Sequence, residues 1–203
     1  MRRVTIAHSV PAMLVAFLAA AAVTGCASSH SSGSARIAVS ATGRIGPLRV
    51  DESNRADVIS FAGRPDSERH GAYDGGRFYT SFDALGYGCR GKAATDKVGI
   101  PRCKTVFYLD PRSGKLELLY TEDKRYVDPH GVHVGTRTPV AERQLHRRAL
   151  TGCYSGFRFD TKSGFLVMWL EGGKRTALVG DHVGFVVVHS QRLNPGVLDC
   201  IDS

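Results

Sequence analysis

The sequence predicts an α+β fold of two divergent helix-plus-antiparallel-hairpin units, forming one sheet with helices on one face. Two observations predict it. The first is an internal repeat at a constant offset of 50 residues: Cys103, Phe107, Asp110, Ser113, Gly114 and Leu116 recur as Cys153, Phe157, Asp160, Ser163, Gly164 and Leu166. Each copy alternates apolar and polar residues, reaches Asp-x-x-Ser-Gly and resumes an apolar run, as a β-hairpin does, with Gly114 or Gly164 supplying a positive φ. The second observation is a short helical pattern ahead of each copy, so that the chain reads helix then strands, twice.

Taken in order, residues 1–25 begin with Arg2 and Arg3 and run apolar from Val10 to Val23. Small residues follow, which is the layout of a secretory signal. The ending Val23-Thr24-Gly25-Cys26 resembles the bacterial lipoprotein signal, which implies that Cys26 becomes the lipidated, palmitate-bearing first residue of an exported protein. A membrane span is excluded by length, because the apolar run of 14 residues falls short of the roughly 20 a bilayer needs. Residues 26–43, rich in Ser, Ala and Gly, read as a flexible tether with a reach of about 20–25 Å.

The remaining residues divide into a first unit, 44–127, and a second, 128–203. The first helix has Ser53 or Asn54 as N-cap, apolar positions at Val58, Ile59 and Ala62, and Gly63 and Pro65 as stop signals. In the second, Thr138 is the cap and Pro139 the first helical residue, with Ala141, Leu145 and Ala149 on one face. Gly46-x-Leu48, Val58-Ile-x-Phe61-Ala-Gly63-x-Pro65-Asp66 and the later Ser-Gly-Lys-Leu strand together resemble the unit of the small BamE-like outer-membrane-assembly lipoproteins. They are also similar to the tandem unit of the β-lactamase-inhibitor protein family. The resemblance covers residues 46–190 and implies a helical pair on an antiparallel sheet whose concave face grips a protein partner. The second unit departs from it, having no Gly-x-Pro-Asp after its helix.

With Cys26 assigned to lipid, Cys89, Cys103, Cys153 and Cys200 remain, an even number that export turns into two disulfides. Three connectivities exist. The repeat favours Cys89–Cys103 and Cys153–Cys200, because it makes Cys103 and Cys153 equivalent positions, each with its own nearby partner.

Alternation also assigns faces. Phe107, Leu109, Leu116 and Leu118 match Phe157, Phe159, Leu166 and Met168, and read as the core side. Tyr108, Leu119, Arg158, Phe165, Val167 and Trp169 fall on the other side, where they either form the candidate partner-binding surface, aromatic residues being frequent interface anchors, or are covered by another strand or the C-terminal tail. The competing reading is a small-ligand or anionic wall-polymer site in the loop Ala84–Cys103, which carries Tyr87, Arg90, Lys92, Lys97 and Arg102.

Charge fits an envelope location. The chain carries 27 basic and 19 acidic residues, and removing Arg2 and Arg3 with the signal leaves an excess of six. Such a balance favours anionic neighbours. Arg143, His146, Arg147 and Arg148 concentrate part of it beside the second helix. No basic block interleaved with aromatics suggests nucleic acid. Asp128, His130 and His133 lie in a Gly/Pro loop that does not fix both imidazoles on one side, so no metal is expected. The sequence has no Gly-x-Ser-x-Gly, Ser-x-x-Lys or His-Glu-x-x-His motif and no phosphate-cradling loop. The expectation is a non-catalytic interaction module without a cofactor, anchored outside a bacterial cell membrane.

Overall fold

β-branched and aromatic runs dominate the chain, and they assemble into one antiparallel sheet. The computed structural model describes residues 35–72, 82–90, 103–150, 155–171 and 180–192, apart from the side chains of Ala72 and Trp169. Its main strands are β4 (Ser67–Ala72), β5 (Phe82–Cys89), β6 (Cys103–Leu109), β7 (Leu116–Thr121), β9 (Gly156–Thr161), β10 (Gly164–Glu171) and β11 (His182–His189). The short strands β1 (Ile37–Ala38), β2 (Arg44–Ile45), β3 (Leu48–Arg49) and β8 (Tyr126–Val127) precede or interrupt them, with two eight-residue helices, α1 (Arg55–Ala62) and α2 (Thr138–Leu145). The main sheet runs β4-β5-β6-β7-β11-β10-β9, antiparallel throughout.

This order overturns the tandem α+β arrangement. The described residues are mostly β, with one seven-stranded sheet, two two-stranded pairs and two short helices, not two helix-plus-hairpin units. The repeated segments do form hairpins, β6–β7 and β9–β10, but β11 is inserted between them: Val188 pairs with Leu119 on one side and Leu166 on the other. The run Val186-Val-Val188 is the physical reason. It is buried at every position, and only a place between two other strands satisfies both its faces and both its edges.

Local signals fare better. Asn54 caps α1 as read, its side chain accepting from the backbone of Ala56 and Asp57 while Asp57 returns a bond to the Asn54 N–H. Gly63 ends the helix. In α2 the cap is Arg137 and not Thr138, whose hydroxyl is drawn away to the Gly180 carbonyl at 2.6 Å. The two repeated turns also diverge. Asp110 accepts from the backbone of Arg112 and Ser113 and from the Ser113 hydroxyl, and Gly114 holds φ +67°. Gly164 instead lies within β10 at ordinary φ. A Cβ there would sit 2.8 Å from the His189 carbonyl, so space and not φ requires the glycine.

Residues 37–43 belong to the fold and not to a tether. β1 pairs in parallel with β8, and Val39 is 1% exposed. Val39, Ile45, Leu48 and Val50 join Val58 of α1 and Ala141 and Leu145 of α2 over the inner sheet face, formed by Leu85, Phe107, Leu119, Leu166, Met168 and Val186 among others.

Candidate functional site

Leu119 belongs to that inner core and is fully buried, which reverses its expected side. The cause is a bulge. Tyr108 pairs with Leu118, but Leu109 pairs with Leu116, leaving Glu117 as the extra residue in β7. One inserted residue exchanges the faces of everything beyond it. Leu118 thus goes to the outer face, where it packs beside Tyr108, Val167 and Val187.

Tyr108, Arg158, Phe165 and Val167 lie on the outer face but are not open. Tyr108, Phe165 and Val167 are buried. Arg158 is half-buried, with its guanidinium 5.1 Å above the Phe165 ring and its Nε on Asp160 at 2.8 Å. Trp169 sits opposite Phe185 and Gly156 in register, and its side chain lies outside the described residues. The five of these side chains that are described therefore do not make an exposed patch.

Cys89 and Cys103 form a disulfide between directly opposed positions of β5 and β6. Gly86 leaves room for it, since a Cβ there would lie 2.5 Å from Cys103 Sγ and 3.0 Å from Cys89 Sγ. Cys26, Cys153, Cys200 and most of the Ala84–Cys103 loop lie outside the described residues.

The fold brings together a polar cluster that the sequence does not reveal. Asp51, held at φ +64°, accepts the Ser190 hydroxyl through both carboxylate oxygens at 2.8 and 2.7 Å across 139 residues of chain. The Ser190 N–H donates to the Glu117 carbonyl. The Glu117 side chain is 8% exposed, and burial together with the nearby carboxylates of Asp110 and Asp51 pushes its carboxyl up to about 7, against an opposing pull from Arg192. Chemically this is a lock between residues 50–54, the start of β7 and the end of β11. The serine hydroxyl is committed to Asp51, and neighbouring His189 turns its Nδ1 to the Ser190 carbonyl at 2.9 Å. His189 stacks on Phe165, and burial lowers its pKa, so the ring is neutral and donates through Nδ1. Nothing in the sequence pointed to this cluster, since Leu116-Glu117-Leu118 alternates as a regular strand does.

Two open surfaces stand out among the described residues. A cleft of about 650 Å³ beside α1 is lined by Pro47, Leu48, Glu52, Asp57, Ser60 and Phe61, with Ser53 at its edge. At the end of α2, Arg143, Arg147 and Arg148 are exposed. Asp128, His130 and His133 are occupied in their own loop. Asp128 accepts from the backbone of His130 and Val132 and meets His130 Nδ1 at 2.8 Å, while His133 Nδ1 meets the Val134 carbonyl. Among the described residues no three His, Cys, Asp or Glu side chains are grouped as metal ligands.

No family model, curated protein or solved structure matches the chain. The helix-pair-on-sheet arrangement implied by the lipoprotein and inhibitor resemblance is not the arrangement found.

Proposed function

We propose that this chain is an exported bacterial lipoprotein, anchored to the cell membrane through Cys26, whose sheet domain is a non-catalytic protein-interaction module of the envelope. The observation that supports export is the Cys89–Cys103 disulfide, because such a bond persists in oxidising compartments. The open cleft beside α1 replaces the outer sheet face as the surface available for recognition. Metabolic labelling with an alkyne palmitate tests the anchor: label and membrane retention should both vanish in Cys26→Ala, and labelling that survives refutes it. Affinity capture of the anchored protein from envelope extract tests the module. A stoichiometric protein partner lost on Ser60→Arg supports it.

The cleft also favours a second reading, a small-ligand-binding lipoprotein. Its volume lies in the range of ligand sites, and its lining includes apolar Leu48 and Phe61 and acidic Glu52. Recovery of a small molecule and no protein partner would favour it.

A further inference from the structure

We infer that the C-terminal end of α2 and the loop after it form a surface that rests on anionic lipid head groups; the inference builds on the anchoring at Cys26 proposed above. Arg143 lies in the last turn of α2, and Arg147 and Arg148 follow its left-handed cap at His146. All three guanidinium groups belong to exposed residues, and none is in an ion pair among the described residues. The acidic residue of α2, Glu142, makes no ion pair with them among the described residues; its Oε1 accepts the Ala149 N–H at 3.0 Å, and its single charge leaves the three arginines a net excess of two. Beside them stands Leu150, 42% exposed and the one large apolar side chain exposed among the described residues. Arginines around an exposed leucine are what an interfacial surface needs, charge for phosphate and an apolar group for the acyl boundary.

The patch is held in shape before any contact. Arg147 Nη1 donates to the Arg158 carbonyl on β9 at 2.8 Å, and its guanidinium lies 4.8 Å over Phe159. Leu150 is bonded in both directions to Gly156 of the same strand. Reach adds the second argument. The fold has begun by Ile37, and eight residues, 27–34, separate Cys26 from the first described residue, nine Cα steps that can span at most about 30 Å. A domain on so short a leash samples the head groups continuously, and weak attraction is enough to orient it. Each basic residue near an anionic surface contributes roughly fivefold, so Arg143 and Arg148 together give on the order of 25-fold.

The test uses the lipidated protein in vesicles of phosphatidylglycerol with phosphatidylcholine, against phosphatidylcholine alone. Arginine modification by phenylglyoxal is read by mass spectrometry. Arg143 and Arg148 should be protected up to about 25-fold on the anionic vesicles only, protection should disappear at high salt, and exposed Arg112 in the β6–β7 turn should react equally on both. Arg148→Glu leaves the hydrogen bonds of α2 intact and should cut protection of Arg143 by about fivefold or more. Equal modification on both vesicles overturns the inference, and so does equal protection by soluble polyphosphate, which would assign the patch to a polymer. Should the Cys26 peptide carry no acyl mass, the anchoring reading fails separately. The patch then stands if the unlipidated full chain sediments with anionic vesicles and falls if it does not.

Discussion

Replacing Glu117 with Gln should stabilise this protein, and should do so only above mildly acidic pH. Glu117 is the bulge residue of β7, buried beside Asp51 and Asp110 without a hydrogen bond to its carboxyl among the described residues. Its carboxyl is raised from 4.5 to about 7 on folding. At about 1.4 kcal/mol per tenfold change in proton affinity, the charged form costs the fold about 3 kcal/mol. The sign follows from proton binding. Between pH 4.5 and 7 the folded state holds a proton that the unfolded state has released, so stability falls as pH rises through this window. Below it Glu117 is neutral in both states and costs nothing; above pH 7 the full cost applies. Glutamine keeps the shape and removes the charge. The Glu117→Gln variant should therefore match the native protein near pH 4, diverge through pH 6, and gain about 3 kcal/mol by pH 8, or roughly 6–12 °C in Tm for a chain of this size. Paired thermal melts across that range give the difference curve. A difference independent of pH, or a Gln variant less stable at pH 8, would refute the reasoning. Asp51→Asn offers the complementary check, since it removes one neighbouring charge but weakens the acceptor that Ser190 uses.

The face reversal and the disulfide give further tests. Leu119→Ala, a fully buried core truncation, should cost 2–5 kcal/mol in denaturant unfolding, whereas a leucine on an open partner-binding face would cost less than about 0.5 kcal/mol. Replacing Cys89 and Cys103 together with Ala should cost about 3 kcal/mol, the loop-closure value for a separation of 14 residues. Gly86→Ala should leave thiols titratable in the unreduced protein, because its Cβ occupies the sulfur position; full oxidation in that variant would show that the strands shift to accommodate it.

The sequence by itself determined the features whose chemistry is local. The Asn54 cap, the Gly63 stop, the Asp110 turn and the pairing of Cys89 with Cys103 each depend on residues within a few positions or across one hairpin, and composition and order suffice to read them. Residues 37–39 were hidden by the Ser/Ala/Gly background around them, although Ile37 and Val39 alternate as a strand must. Tertiary structure alone decided the rest. Strand order depends on which edges find partners, and β11 takes an interior place because its valines are apolar on both faces. The bulge at Glu117 arises from fitting β7 against β6, and it moved Leu119 inward and Leu118 outward against a repeat that had aligned them otherwise. The Asp51–Ser190 lock spans 139 residues, and no spacing rule connects two distant segments that only the assembled sheet brings within hydrogen-bond distance.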